Sequence, residues 1–395
     1  MAALSSKWIW QSRSWPRFTY DVSAIAEAVG RARLEQGKLL GKADAVGAAA
    51  LSLTQRDIWT GDALATSAIE GEVLNLGAVR SSVARRLGIA SSFAAAVPRN
   101  VDGLLDVMED AAANWNTALT AARLCRWQSA LFPDARASLR KIEVGRFRSH
   151  ADPMQIVSGP AGRETVHYEA PPSNAVRAEM RSFLDWFNRT RNVTSGGKDD
   201  GLVRAGLSHL WFETVHPFED GNGRVGRAIV DMALAQDAGL PYRLHGLSVE
   251  FQRQQANYYA ALNHAQRGAG EVTAWLTWFV DAFRNACLRS AVLIDEGLDR
   301  ARFWAAHKDI ALNERQRKVL NILLEAGPGR FEGRMTPRKY QALTGTSGAT
   351  ATRELTELSA NGLLVPGGAG RSRHYNLALA GRGWVPKPAK SRSRE

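Results

Sequence analysis

The segment VHPFEDGNGRVGR, residues 215–227, combines side chains that could transfer a phosphorus-centred group. His216 has an ordinary pKa near neutrality, so it can take a proton from an attacking hydroxyl. Asp220 offers an oxygen ligand of the kind that Mg²⁺ takes in proteins. Arg224 and Arg227 are three residues apart, which places both guanidinium groups on one helix face, where they can hold phosphate oxygens.

The glycines of this segment predict how the backbone contributes. Gly221 and Gly223 can adopt positive φ, and Asn222 also tolerates it. Successive amides in such a turn, at the N-terminus of a helix, form a nest for phosphate oxygens. Singly, each residue is as easily a helix cap, a core histidine or a solvated arginine. Their combination favours transfer from a Mg·nucleotide to a hydroxyl, by positioning and charge neutralisation.

The surrounding sequence predicts the helices that must position these groups. A helix ends near His216, because the following proline disfavours helical dihedrals, and another begins near Gly223. Apolar residues at helical spacing predict the other helices, over 25–40, 43–87 with a break at Gly71, 100–132, 174–189, 202–214, 224–237, 254–267 and 272–294. Short β-like runs around SGPAGRE predict a hairpin over 154–169. The predicted fold class is mainly α.

The C-terminal part has its own pattern. Helical spacing over 312–327, 336–345 and 347–362 precedes a strand, a glycine turn and a strand over 363–377. Three helices followed by a two-stranded wing is the order of a winged helix-turn-helix domain.

In that domain the recognition helix begins after Ser347, the predicted N-cap. Thr350, Thr352 and Arg353 come early on the helix, where base edges are met, and Arg371, Arg373 and His374 in the wing could reach phosphates. DNA is therefore an expected partner. The alternative is a packing or dimerisation domain that touches no nucleic acid.

The composition of the chain limits its domain number, its type of partner and its cellular compartment. A chain of 395 residues predicts two or three domains. The net charge of +12 suits an anionic partner, although a merely soluble basic surface explains it equally well. Two cysteines, no signal-peptide pattern and no apolar run long enough to span a bilayer predict a cytoplasmic protein without disulfides or membrane contact.

HPFEDGNGRVGR, residues 216–227, resembles the Fic-family motif HPFx(D/E)GNGRxxR at every defined position. The resemblance implies a Fic-type helical core with a β-hairpin flap, and transfer of AMP from Mg²⁺-bound ATP to a Ser, Thr or Tyr of a protein. The roles it implies are a base for His216, a buried anchor for Phe218 and a Mg²⁺ ligand for Asp220. It also implies an anion nest and phosphate contacts for the remaining residues, which are Gly221, Asn222, Gly223, Arg224 and Arg227.

The same resemblance assigns two further regions. The hairpin 154–169 corresponds to the flap that holds the target protein by β-strand addition, the alternative being a plain surface hairpin. Tyr258 and Tyr259 could line the adenine pocket, and core packing accounts for them equally well.

TSAIEGE, residues 66–72, resembles the inhibitory motif (S/T)xxxE(G/N) of Fic proteins through Thr66, Glu70 and Gly71. A glutamate paired with Arg227 removes a phosphate contact and places negative charge where phosphate should lie. The expectation is autoinhibition by Glu70, which in some relatives also supports removal of AMP. The alternative is a solvated glutamate near a helix end.

The expected organisation has four parts: an N-terminal helical domain over 1–98 with the inhibitory motif at 66–71, a Fic catalytic domain over 99–298, a winged-helix domain over 299–380 and a disordered basic tail over 381–395. A second copy of the chain is left open as a partner. The alternative function is a DNA-binding regulator whose Fic domain senses nucleotide. Intact His216 and Asp220 favour the enzyme, because a purely binding module needs neither.

Overall fold

The computed structural model of the chain is mainly helical, which confirms the predicted fold class. It describes residues 7–46, 48–89, 97–134, 142–158, 163, 165–191, 200–240, 244–326 and 334–378, so the predicted tail 381–395 lies outside the described residues. Two compact units divide between Leu293 and Ile294. Within the described ranges, no helix is long and apolar enough to cross a membrane.

The first unit contains most of the helices and one hairpin. Its helices are α1 Val22–Ala45, α2 Ala48–Ile69, α3 Leu76–Arg86, α4 Arg99–Ala113, α5 Ala121–Leu131, α6 Ser173–Arg189, α7 Gly201–Val215, α8 Asn222–Ala238, α9 Leu247–Arg253, α10 Gln255–Gln266 and the first part of α11 Thr273–Ala306. From Ile294 onward, α11 belongs to the second unit. The predicted helices are all present. The short α9 was not predicted, and α11 continues past its predicted end at residue 294.

The predicted hairpin is present as β1 Gln155–Ser158 and β2 Thr165–Glu169, which pair antiparallel. The N-terminal tryptophans support β2. Trp8, 1% exposed, meets the ring of Tyr168 edge-on at 5.3 Å. Trp10 Nε1 donates a hydrogen bond to the carbonyl of Glu169 at 2.7 Å. The tryptophan-rich segment therefore packs beneath one strand of the hairpin.

Helix α7 lies at the centre of the first unit, because every one of its residues is buried. Its sequence GLVRAGLSHLWFETV has apolar residues on every side, as expected for a helix surrounded by others. Helix α8 packs along it and is buried over most of its length. The loop between these two helices, which carries the motif, is therefore anchored at both ends in the core.

The second unit contains three further helices and a second hairpin, in the predicted order. These are α12 Glu314–Ala326, α13 Pro337–Thr344, α14 Gly348–Ala360, β3 Leu364–Gly367 and β4 His374–Leu377. The strands pair antiparallel from Leu364 opposite Leu377. Buried residues such as Val319, Tyr340 and Leu355 form one hydrophobic cluster. Assignment to the winged-helix class stays a prediction.

The crossing of α4 and α5 depends on Gly103, where a Cβ atom would lie 1.8 Å from the carbonyl oxygen of Ala130. We expect Gly103→Ala to lower the free energy of unfolding by about 1–3 kcal/mol, because the helices must move apart. Gly30→Ala in α1 is the control: nothing lies within 4 Å of its Cβ position, and alanine is the better helix former, by about 0.5–1 kcal/mol. Thermal denaturation measures both, and equal shifts would contradict this packing.

Candidate active site

The motif begins with His216, which caps α7 in the left-handed region at φ 48°. Such a backbone conformation costs a non-glycine residue about 1–3 kcal/mol and persists only where neighbouring contacts hold it. The N–H of His216 donates to the carbonyl of Phe212 at 2.9 Å. Its own carbonyl accepts from Arg148 Nε at 2.8 Å. These hydrogen bonds fix the imidazole at the end of the central helix.

Arg148 is a buried cation, 2% exposed, at the C-terminal end of α7. Its Nη2 donates to the carbonyls of Pro171 at 2.5 Å and Val215 at 3.3 Å. Its backbone N–H donates to the carbonyl of Pro217 at 2.9 Å. Burial lowers the pKa of Arg148 to about 10, so it stays charged at neutral pH. Arg148 therefore supplies donors to final carbonyls of α7, which have no partners within the helix.

The surroundings of His216 keep its imidazole neutral. Burial lowers the pKa of His216 to about 4, the positive charge of Arg148 acts in the same direction, and the backbone of Glu213 and the negative charge of Glu70 oppose them. His216 Nδ1 lies 3.7 Å from Glu213 Oε2. Nδ1 is buried beside that carboxyl group, which leaves Nε2 as the atom that can face a substrate hydroxyl.

Glu213 is itself buried, at 4% exposure. Burial raises the pKa of Glu213 to about 8, and the negative charge of Glu70 adds to the effect. The carboxyl group is therefore mostly protonated at neutral pH. It contributes little negative charge beside His216.

The loop after His216 is closed by a side-chain amide. Asn222 Oδ1 accepts from the N–H of Phe218 at 2.9 Å, and Asn222 Nδ2 donates to the carbonyl of Phe218 at 2.7 Å. The Phe218 ring is fully buried. Gly221 has φ 86°, and a Cβ atom there would lie 2.9 Å from Phe132 Cε2, so glycine is required twice over. Asp220 Oδ1 accepts from the N–H of Gly221 at 2.7 Å.

A carboxylate occupies the N-terminal end of α8. Arg227 Nη2 donates to Glu70 Oε1 at 2.8 Å, and Arg227 Nε donates to Thr66 Oγ1 at 2.7 Å. A Cβ atom on Gly223 would lie 2.2 Å from that same Oε1. Gly71, at φ 78°, turns the chain directly after the glutamate. The carboxylate therefore sits against a helix N-terminus and a guanidinium group, two features that favour an anion.

A second glutamate pairs with the other arginine of the motif. Arg224 Nη1 donates to Glu72 Oε2 at 2.9 Å. Glu72 Oε1 accepts from Asn100 Nδ2 at 2.7 Å, which orients the carboxylate. The guanidinium of Arg224 also lies 5.0 Å above the ring of Phe132. Both arginines are thus paired with glutamates from the end of α2 and the turn that follows.

The two tyrosines of α10 have different positions. Tyr258 is 2% exposed, with its hydroxyl 2.8 Å from His209 Nε2 and its ring stacked on Phe251 at 4.8 Å. Its burial fits the packing alternative, and a role for Tyr258 at a nucleotide base stays a prediction. Tyr259 is 41% exposed, and its hydroxyl donates to the carbonyl of Ile69 at 3.3 Å, at the end of α2. A role for Tyr259 at a nucleotide base stays a prediction.

The hairpin is tied to the same central helix. Tyr168 in β2 donates from its hydroxyl to the carbonyl of Thr214 at 2.6 Å. On β1, Ile156 and Val157 are 37% and 46% exposed, although they are apolar. The hairpin is thus anchored through β2 and presents β1 outward. The DNA-contact candidates, Ser347, Thr350, Arg353, Arg371 and Arg373, all belong to the second unit.

Four residues of this arrangement were not predicted: Glu72, Phe132, Arg148 and Glu213. Glu72 could have been found from the sequence. Glu70 and Glu72 are two residues apart, a spacing that allows ion pairs with both Arg224 and Arg227, which are three residues apart. Glu213 lies three residues before His216 on a predicted helix, which places it on the same face. Arg148 and Phe132 carried none, because Arg148 contacts backbone carbonyls and Phe132 contacts the guanidinium group of Arg224, far away in the sequence.

Comparison with known proteins adds to this geometry. Residues 118–234 match the model of the Fic/DOC family. The chain carries a Fic/DOC domain. Residues 8–89 match a second model, a domain of unknown function, DUF4172. The match 118–234 contains the motif and the hairpin, and the match 8–89 contains Glu70 and Glu72.

The chain is also similar to proteins named protein adenylyltransferases. One from Aquifex aeolicus, named as probable, is 32% identical over 102 residues, which are 26% of this chain and 28% of that protein. Another, from Caenorhabditis elegans, is 30% identical over 127 residues, 32% of this chain and 21% of that one. The chain therefore spans about a quarter of the length of these curated relatives.

Solved structures support the fold. A Fic family protein from Desulfovibrio desulfuricans matches with a TM-score of 0.54 at 21% identity, over 93% of this chain and 99% of that one. A Fic domain containing signaling protein from Bacteroides thetaiotaomicron matches with a TM-score of 0.50 at 18% identity, over 67% of this chain and 96% of that one. At these identities the likeness concerns the fold alone.

The contacts of Arg148 predict how His216 titrates. We expect Arg148→Met to raise the pKa of His216 from about 4, because removing a neighbouring cation stabilises the imidazolium. Arg148→Lys, which keeps the charge, should change it less. NMR of histidine side chains across a pH series measures the effect.

The control is Arg146→Met, an exposed arginine paired with Glu143, which should leave the titration of His216 unchanged. Circular dichroism checks that each variant is folded. An unchanged His216 pKa in folded Arg148→Met would contradict the electrostatic role of Arg148.

Proposed function

We propose that this chain is a protein adenylyltransferase, which moves AMP from Mg·ATP to a hydroxyl group of another protein and is held inactive by Glu70. The observation that carries the proposal is the carboxylate of Glu70 against Gly223 and Arg227. A site that holds an internal carboxylate at a helix N-terminus is a site built for an anion. A triphosphate supplies such an anion.

The reaction needs a base, which His216 supplies. The hydroxyl oxygen of the target attacks the α-phosphorus, and a new O–P bond forms while the bond to the bridging oxygen of the leaving pyrophosphate breaks. His216 Nε2 takes the hydroxyl proton. Its depressed pKa of about 4 keeps the imidazole unprotonated at neutral pH. A bound triphosphate adds negative charge beside the ring and raises that pKa, which strengthens the base.

The leaving phosphates are neutralised by the rest of the motif. Arg224 and Arg227 would each release a glutamate and bind phosphate oxygens instead. The first amide N–H groups of α8, which have no partners within the helix, would donate further hydrogen bonds to those oxygens. Asp220 is the carboxylate available for the Mg²⁺ that accompanies ATP. Among the described residues, no three His, Cys, Asp or Glu side chains form a metal site by themselves. The ion would therefore take most of its ligands from phosphate and water.

The hairpin supports a protein as the acceptor. Strand β1 pairs with β2 on one side, and its apolar side chains Ile156 and Val157 are exposed. An extended segment of a target could add to β1 through main-chain hydrogen bonds. Tyr168 fixes β2 to Thr214, and His216 lies two residues after Thr214 in the sequence. A hydroxyl group on the added segment would therefore be held near His216.

Inhibition follows from charge. The site offers two guanidinium groups to phosphate, and in this structure Glu70 and Glu72 accept hydrogen bonds from both. A triphosphate must displace both carboxylates, or bind against their repulsion. Glu70 should inhibit more strongly than Glu72. Its partner Arg227 is 3% exposed, and the Oε1 atom of Glu70 fills the space beside Gly223.

Labelled ATP tests the reaction and its inhibition together. With ATP labelled at the α-phosphate, we expect Glu70→Gly to label protein, itself included, about tenfold or more above wild type, since coupling of this kind is typically worth 1–3 kcal/mol, or roughly 5–150-fold. Adding His216→Ala to that variant should abolish the label, because the base is lost.

The control uses ATP labelled at the γ-phosphate, which should label nothing, because pyrophosphate leaves. Label from the γ-phosphate would indicate phosphotransfer instead. No label from either nucleotide in a folded Glu70→Gly protein would contradict the proposed transfer.

Glu72 should form a second, weaker obstacle. In the Glu70→Gly background we expect Glu72→Gln to lower the KM for ATP by about two- to fivefold, the range of a partly exposed ion pair, because Arg224 becomes free for phosphate. Steady-state kinetics measures it. The control is Glu109→Gln, which breaks the 2.6 Å pair with Arg86 between α3 and α4. A KM that rises, or falls equally in the control, would contradict this role.

A further inference from the structure

The positive charge of the chain is concentrated at its C-terminal end. Residues 294–395, about a quarter of the sequence, contain 18 lysines and arginines against 10 acids, which is +8 of the total +12. The first 293 residues carry only the remaining +4. The second unit is therefore the part of the molecule that favours a polyanion.

Helix α14 has a buried and an exposed face. Ala351, Leu355 and Leu358 are fully buried in the cluster of the second unit. The exposed face carries short or flexible polar side chains at helical spacing, which are Thr352, Arg353, Thr356 and Glu357. Short side chains let a helix approach a groove closely, and a flexible arginine can reach a base edge.

The first acid of α14 is withdrawn from that exposed face. Glu354 is 1% exposed and accepts a hydrogen bond from the hydroxyl of Tyr340 at 2.6 Å, and Arg315 pairs with it at 2.5 Å. Its charge is thereby neutralised inside the unit. Glu357, the next acid, belongs to the third turn, where it lies 3.6 Å from Arg353 Nε and accepts a hydrogen bond from Gln316 Nε2 at 3.1 Å. The first two turns of α14 thus present no exposed acid.

The connection before α14 is the tight turn that such a helix needs. Helix α13 ends at Thr344, Gly345 follows at φ 68°, and α14 begins at Gly348 behind the N-cap Ser347. The Ser347 hydroxyl accepts from the N–H of Thr350 at 3.3 Å. A three-residue turn between two helices, with the second helix exposed on one face, is the geometry of a helix that enters a major groove.

The hairpin of the second unit supplies a second basic element. The turn between β3 and β4 contains Arg371 and Arg373, and Arg373 is exposed. Gly368, at φ 69°, makes the turn tight, since a Cβ atom there would lie 2.3 Å from the carbonyl oxygen of Ser372. Arg373 is thus exposed on a short turn, as a phosphate contact beside a groove requires.

We infer that the second unit binds duplex DNA. Helix α14 enters the major groove, with Thr352 and Arg353 at base edges, and Arg371 and Arg373 contact backbone phosphates. This inference does not depend on the proposed AMP transfer, because it rests on residues of the second unit alone.

The test uses the full chain and a labelled DNA duplex of about 30 base pairs with a randomised centre, followed by fluorescence anisotropy across a salt series. We expect binding at about 0.1 M salt, and a loss of at least about tenfold in Kd for Arg371→Ala/Arg373→Ala. The slope of log Kd against log salt should fall by about 2, one per lost phosphate contact. Arg353→Ala should instead relax the sequences selected from the random pool.

The matched control is Arg85→Ala/Arg146→Ala, which removes the same two charges from exposed arginines of the first unit, 62% and 66% exposed. It should bind DNA like wild type. An equal loss in this control would show that net charge alone attracts the duplex and would overturn the inference. So would absence of binding, or tighter binding of single-stranded or duplex RNA of the same length.

Discussion

One buried guanidinium group determines how this molecule works. Arg227 is 3% exposed, and a buried cation without a counterion costs several kcal/mol. Burial lowers its pKa, the Glu70 carboxylate raises it, and the net shift is upward, so Arg227 is held as a cation by its partner. In this structure the Glu70 carboxylate is the counterion of Arg227. Under the proposed function, a phosphate group of ATP would compete with Glu70 for that position, so one arginine would serve both the binding of the substrate and its inhibition.

The position of His216 follows from a second constraint, which is that the last carbonyls of α7 have no hydrogen-bond partners within the helix. Arg148 and Tyr168 donate to the carbonyls of Thr214, Val215 and His216. Arg148 also reaches the carbonyl of Pro171, just beyond β2. The same hydrogen bonds that finish the central helix thus hold His216 in its left-handed conformation and fix the hairpin beside it. The N-terminal tryptophans add a further support under β2.

Much of this could be predicted from sequence, for physical reasons. Apolar spacing located the helices, since burial of one face dictates it, and Pro217 located the end of α7. The glycines of the loop implied positive φ, which Gly221 adopts. The pairing of Glu70 with Arg227, 157 residues apart, followed only from a resemblance between motifs. Nothing local in the sequence connects them.

The features that were not predicted leave no periodic pattern of apolar residues in the sequence. Arg148 acts through backbone carbonyls, and any residue offers those. Helix α9 is seven residues long, too short for its apolar spacing to stand out. Tyr258 and Tyr259 are adjacent and chemically identical, yet one is 2% and the other 41% exposed, because neighbouring residues on a helix point about 100° apart.

Competition for Arg227 is tested most directly by nucleotide binding without turnover. Isothermal titration calorimetry of Mg·ATP should compare His216→Ala with His216→Ala/Glu70→Gly, since neither protein has the base. If Glu70 competes with ATP for Arg227, removing Glu70 will tighten ATP binding by about tenfold or more, a difference of roughly 1.4 kcal/mol, and adding Arg227→Ala will abolish the gain. Equal ATP affinity with and without Glu70 would contradict this competition.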